Sequence, residues 1–122
     1  MRRLQAARTL RLDHALAGTV FPKPKAAFMP EYLAQFERVV TSTAGVRRAG
    51  SMALELAYLA AGRLDAFWER GMGPWDAAAG VLLAREAGCD VFTLDGAPWM
   101  ASAQIAAAVP ALAADWRALL AP

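Results

Sequence analysis

Two kinds of hydrophobic spacing take turns along this chain, and that alternation limits its fold more than any other feature. Residues 14–20 (HALAGTV) read as a strand, closed by Phe21, Pro22, Lys23, Pro24 and Lys25, where two prolines exclude regular structure. Residues 31–42 then set Tyr32, Leu33, Phe36, Val39 and Val40 on one helical stripe, with Pro30 suited to the first turn. Residues 45–49 (GVRRA) read as a short extended piece. A second helix is predicted over 51–61, with Ser51 as its N-cap and Gly62 as its stop. Residues 64–69 (LDAFWE) alternate as a strand. A third helix follows over 74–87, with Pro74 at its start, Asp76 in its first turn and Gly88 past its end. A strand at 90–94 ending in the Asp95-Gly96 turn, another at 102–108 and a last helix at 111–120 complete the order. Such alternation predicts an α/β fold, a layered sheet flanked by helices. We expect one domain over residues 1–122, with 1–11 as an irregular lead-in. The spacing does not give the strand order.

Composition sharpens this picture in two places. Of the 122 residues 30 are Ala, so the core must rest on few Leu, Val, Phe, Trp and Met side chains. At about 25 cal/mol per Å² of buried apolar area, so short an Ala-rich fold should be marginal alone and helped by a partner surface. Charge is also uneven. Residues 1–25 carry a balance of +5 and the remainder −3. The basic lead-in is read as a solvated segment, in preference to a nucleic-acid surface or an Arg-rich targeting peptide. An arginine interrupts every apolar stretch before Asp13, so no secretory core is present, and the Ala-rich run from 97 to 114, broken by Pro110, is too weakly hydrophobic to span a membrane. Cys89 and His14 are the only residues of their kinds. A disulfide or a cysteine metal cage within the chain is excluded, and His14 is read as structural. Carboxylates are the chemistry left.

The informative stretch is residues 64–88. On a strand over 64–69, Asp65, Phe67 and Glu69 share one face while Ala66 and Trp68 take the other. Glu69 then ends the strand, and the loop of Arg70, Gly71, Met72 and Gly73 leads to the helix that carries Asp76. Open α/β sheets bind ligands beyond the carboxyl ends of their strands. Two carboxylates there suit a hard cation such as Mg²⁺. Each also has an ordinary role: Asp76 complements the helix dipole, and Glu69 is one half of a surface pair with Arg70 or Arg63. Gly50 and Ser51 open the preceding helix, either as a plain cap or as a site for an anion or polyol. Arg47 and Arg48 either steer a phosphate or pair with Glu55 or another acidic neighbour.

Residues 45–96, and above all the runs RAGSMAL at 48–54, PWDAAAG at 74–80 and REAG at 85–88, resemble the C-terminal part of the inositol monophosphatase family. Weaker similarity extends upstream through residues 17–22, where the family usually has Gly in place of Val20, and downstream through 104–120. The resemblance implies that Asp76 is a ligand of the second Mg²⁺ and that Glu69 hydrogen-bonds substrate hydroxyls. It implies that Gly50, Ser51 and the backbone of Met52 line the inositol pocket. Met52 stands where the family places a small residue, usually Ala, so its thioether either narrows the pocket or swings aside. Cys89 stands where Gly is common and is read as tolerated.

The full-length family implies a Mg²⁺-dependent, lithium-inhibited, dimeric cytoplasmic phosphatase acting on inositol phosphate or a similar sugar phosphate. Its other metal ligands lie in a Gly-x-Glu-x-Glu-like and an Asp-Pro-Ile-Asp-Gly-Thr-like segment, and neither occurs in these 122 residues. The resemblance therefore implies a chain inactive by itself, needing a second copy or a separate N-terminal domain. The alternative is a non-catalytic module that associates with full-length relatives or with transcription or RNA-processing factors. Geometrically, the polar atoms of Ser51, Glu69 and Asp76 are expected to converge within roughly 10 Å, about the width of a small-molecule pocket.

Overall fold

The computed structural model describes residues 5–71, 74–98 and 104–122, with residues 74–76 described in their backbone alone. Five strands, β1 (Leu16–Thr19), β2 (Gly45–Arg47), β3 (Ala66–Arg70), β4 (Asp90–Phe92) and β5 (Gln104–Ala108), form one sheet in the order β2-β1-β3-β5-β4. β1 runs parallel to β2 and β3, whereas β5 is antiparallel to both β3 and β4. The first four strands therefore point the same way and β5 runs against them. Four helices, α1 (Met29–Ser42), α2 (Met52–Ala60), α3 (Pro74–Glu86) and α4 (Ala113–Leu120), complete the α/β layering.

The pleat of β3 sorts the core into two layers. Ala66 and Trp68 face α1 and α4, packing with Tyr32, Val39, Trp116 and Leu120. Phe67 faces α2 and α3, packing with Met52, Leu56, Val81 and Ala84. β5 follows the same parity, with Ala106 and Ala108 on the first side and Ile105 and Ala107 on the second. Its alanines supply little bulk, and aromatics supply it instead. Tyr32 stacks on Trp68 at 5.6 Å, and Trp116 meets Trp68 edge-on at 5.8 Å. Aromatic side chains bury about 150–250 Å² each, several times what an Ala offers. The Trp116 indole N–H also donates to the Phe67 carbonyl at 3.1 Å, so the bulk is oriented as well as buried.

Helix ends follow local chemistry. The Gly62 and Arg63 amides return to the Leu59 and Tyr58 carbonyls, and the Gly88 and Cys89 amides to Arg85 and Ala84, which closes α2 and α3 in Schellman fashion. Arg38 of α1 donates to the carbonyls of Leu119 at 2.7 Å and Ala121 at 3.0 Å, a cation at the negative end of α4. Pro30 lies in the first turn of α1, which opens at Met29 instead of residue 31.

Strand starts depart from the spacing. The predicted strand over 14–20 begins only at Leu16, and His14 is exposed in a 3-10 turn over Leu12–His14. The Asp13 carboxylate forks the Arg11 guanidinium at 3.0 and 2.7 Å, and the Ala15 amide returns to the Leu12 carbonyl at 3.0 Å, which bends the chain there. Asp65, expected in a strand with Phe67 and Glu69, precedes β3. Its buried carboxylate accepts from the Thr9 hydroxyl at 2.6 Å and the Leu16 amide at 2.7 Å. Residues 5–11 have no helix or strand, yet that bond and the Ala6 amide on the Ala87 carbonyl at 3.2 Å hold them to the body. The strand expected over 102–108 is Gln104–Ala108, its first two positions lying outside the described residues. Pro110–Leu112 forms a 3-10 turn, so the last helix starts at Ala113, two residues later than the spacing suggests.

Candidate functional site

Direction of the strands decides where the helices open. α2 follows β2 and α3 follows β3, so both N-termini lie at the carboxyl edge of the parallel strands. They also share a face, because Met52, Leu56 and Leu59 of α2 pack with Ala77, Val81 and Ala84 of α3. Glu69 is the penultimate residue of β3, pairs across the sheet with Ile105, and stands two positions beyond Phe67. Ile105 and Phe67 belong to the α2–α3 layer, so Glu69 is on that face too, partly buried. The fold thus brings Ser51, Glu69 and backbone position 76 to one edge and one face. The expected convergence of three polar groups includes the Asp76 carboxylate, which lies outside the described residues.

Ser51 is the N-cap of α2, with extended backbone and its Oγ accepting from the Leu54 amide at 3.1 Å. It is exposed, so the hydroxyl serves the helix while remaining open to solvent. Gly50 before it has φ +92°, and a Cβ there would meet nothing within 4 Å. Conformation, and no neighbour, requires glycine at this point. Met52 is the first residue of α2, and its thioether is buried with Leu56, Phe67, Ala77 and Ile105. Of the two alternatives for that side chain, the structure shows it turned into the core.

Aromatic faces take up the cations at this edge. Arg48 lies over Phe21 at 4.6 Å and Arg70 over Phe28 at 5.3 Å. Glu55, one of the alternatives for pairing with Arg47 or Arg48, is fully buried and accepts the Ala49 amide. The hydroxyls of Thr19 and Tyr32 meet at 2.9 Å, and Thr19 donates to the Trp68 carbonyl at 3.0 Å. Burial raises the Tyr32 phenol above its ordinary range, the Thr19 bond lowers it, Glu69 raises it and Arg48 lowers it. Glu69 and Arg48 are therefore within electrostatic reach of one buried hydroxyl.

Among the described residues, no three His, Cys, Asp or Glu side chains stand close enough to hold a metal ion. The carboxylates suit Mg²⁺ in kind, and the described set does not amount to a full shell. Cys89 is buried, and burial pushes its thiol up to about 11, with Asp90 adding to the effect. No helix among the described residues is long and apolar enough to cross a membrane. The sequence signal that could have found Glu55 is its place at the same helical spacing as the apolar Met52, Leu56 and Leu59, which puts it on the buried stripe of α2.

A mixed sheet with helices on both faces and polar groups gathered at the carboxyl edge of its parallel strands defines a layered α/β protein. The sequence pattern of the inositol monophosphatase family matches residues 3–121, and the chain belongs to that family. It is similar to an inositol-1-monophosphatase of Mesorhizobium japonicum, at 45% identity over 95 residues that cover 78% of this chain and 36% of that protein. It is 51% identical over 89 residues to the Nus factor SuhB of Pseudomonas aeruginosa, over 71% of this chain and 33% of the relative. Among solved structures, the extragenic suppressor SuhB of Bartonella henselae superposes with a TM-score of 0.90 at 34% identity, covering 98% of this chain and 46% of that one. The inositol monophosphatase of Anabaena gives 0.86 at 37%, covering 98% and 48%. The chain therefore spans between about a third and a half of the length of the relatives it matches.

Proposed function

We propose that this chain forms one wall of a Mg²⁺-dependent phosphomonoesterase site for inositol phosphate or a similar sugar phosphate, and that it turns over only when another segment completes the site. The observation that carries this reading is the gathering of Ser51, Glu69 and position 76 at one edge and face of the sheet in a member of this family. Asp76, in the first turn of α3, would give one carboxylate oxygen to the cation. Bound Mg²⁺ would supply charge neutralisation on the phosphate and acidify a water. Glu69 would accept hydrogen bonds from sugar hydroxyls. Ser51 and the backbone of Gly50 and Met52 would line the ligand, and the Met52 thioether, turned into the core, leaves room there. One carboxylate, with waters and the substrate phosphate, is only part of the cation's shell, so the completing segment would supply the remaining protein ligands. A cytoplasmic setting, and a second copy or an N-terminal domain as partner, belong to the same reading.

Phosphate release from inositol 1-phosphate tests it, on the chain alone and mixed with the N-terminal part of a family member. The chain alone should release nothing above background. The mixture should show Mg²⁺-dependent release that Asp76→Asn abolishes. Turnover near ~1 s⁻¹ by the chain alone would overturn the incompleteness. A mixture that associates yet stays silent, or that ignores Asp76→Asn, would overturn the site. Likeness to proteins named Nus factor SuhB favours a second reading, a non-catalytic module that associates with full-length relatives or with transcription and RNA-processing factors.

A further inference from the structure

Glu55 is a carboxyl group in the wrong solvent. It lies on the buried stripe of α2 with Met52, Leu56 and Leu59, and none of it is exposed. One oxygen, Oε1, accepts the backbone N–H of Ala49, six residues earlier. The other, Oε2, is buried without a hydrogen-bond partner. It rests against Gly18 of β1, where a Cβ would come within 2.2 Å of it. A buried carboxyl with a single hydrogen bond is a destabilising feature, and apolar side chains would fill the place better. Glycine at position 18 makes the room. Gly18 pairs with Arg47 of β2 and Phe67 of β3, which sets its open side toward α2.

What the carboxyl holds gives this arrangement its meaning. Ala49, Gly50 and Ser51 connect β2 to α2, and all three are exposed. Gly50 touches nothing within 4 Å of where a side chain would begin, and the Ser51 hydroxyl is engaged within its own helix. The Ala49 amide on Glu55 thus ties this turn to the buried side of α2. We propose that Glu55 is a positioning residue: from inside α2 it fixes the Ala49–Ser51 turn, and so aims the Gly50 and Ser51 groups that receive the ligand. The aiming of a ligand group rests on the site reading given above; the tethering of the turn does not.

Amide hydrogen exchange, read by NMR on the whole chain, separates the two. In Glu55→Ala, the Ala49 amide should exchange about tenfold faster, while the Leu56 and Leu59 amides of α2 keep their protection. Glu55→Gln retains the acceptor oxygen and should restore the wild-type rates. Gly18→Ala leaves Glu55 in place but displaces its carboxyl, and should loosen the same Ala49 amide, which keeps the test decisive if Glu55→Ala fails to fold. Unchanged exchange at Ala49 in both Glu55→Ala and Gly18→Ala would overturn the proposal, and so would an equal loss throughout α2. A parallel titration uses inositol 1-phosphate with Mg²⁺. Glu55→Ala should weaken the response of Gly50 and Ser51 while Glu69 still responds, and equal binding by wild type and variant would overturn the positioning role. If the wild type shows no response at Gly50, Ser51 or Glu69, the ligand reading fails, and the exchange comparison alone then decides whether Glu55 tethers the turn.

Discussion

Replacing Trp116 by Phe should cost about 2 kcal/mol, because two separable losses add. Trp116 is fully buried, packs edge-on against Trp68 at 5.8 Å, and donates its indole N–H to the Phe67 carbonyl at 3.1 Å. Phenylalanine keeps one ring against Trp68 but cannot donate, and one buried hydrogen bond is worth about 1 kcal/mol. The lost ring removes roughly 40 Å² of buried apolar area, about another 1 kcal/mol. Trp116→Ala removes the whole side chain from a core whose bulk rests on a few large residues and should cost about 3–5 kcal/mol. Domains of this size hold about 5–15 kcal/mol in total, so the Ala variant should sit near the unfolding threshold. Urea unfolding followed by far-ultraviolet circular dichroism measures this. With a slope of about 1–3 kcal/mol per molar urea, Trp116→Phe should lower the midpoint by roughly 1 M with the slope unchanged. A Phe variant with the wild-type midpoint, or an Ala variant no less stable than the Phe variant, would refute the account of the aromatic core.

Three further outcomes are expected. Burial raises the Glu55 carboxyl above its ordinary 4.5, the Ala49 bond opposing in part, so its contribution to stability is complete below that value and is lost as pH rises through the folded value; the wild-type urea midpoint should fall over that range, and Glu55→Gln should flatten the fall. Gly80→Ala would bring a Cβ to 2.6 Å from Leu56 Cδ1 and 2.8 Å from Leu56 Cβ. Overpacking of about 1–3 kcal/mol should outweigh the gain of about 1 kcal/mol in helix propensity, so a lower urea midpoint is expected and a higher one would deny that α2 and α3 touch there. With its thiol pushed up to about 11, Cys89 should resist alkylation in the folded protein at neutral pH and react at the rate of unfolding, and fast labelling of native protein would contradict its burial.

Features written in a few consecutive residues were legible. Ser51 before an apolar helix, Pro74 at a helix start, and Gly62 and Gly88 after helix ends all appear where their local chemistry puts them. The starts of β1 and β3 were not, because a bond between the Asp65 carboxylate and the Leu16 amide, 49 residues apart, meets the 3-10 turn there. The antiparallel course of β5 had no local signal, since an alternating apolar strand reads alike in either direction. At the candidate site, the common edge of Ser51 and Glu69 follows from parallel strands joined by helices, which the alternation itself implies. The inward turn of Met52 depends on the gap between α2 and α3, and the burial of Glu55 on Gly18 in a strand far away in sequence. Neither can be read from one helix.

The most direct test of a ligand wall at the carboxyl edge is a titration of the isotope-labelled chain with inositol 1-phosphate in the presence of Mg²⁺, followed amide by amide. The account predicts that Gly50, Ser51, Glu69 and Asp76 shift together along one saturation curve, and that Asp76→Asn weakens the shifts that depend on Mg²⁺. Saturable shifts confined to the opposite edge, around Arg85 and Asp90, or no movement at any of the four, would contradict it.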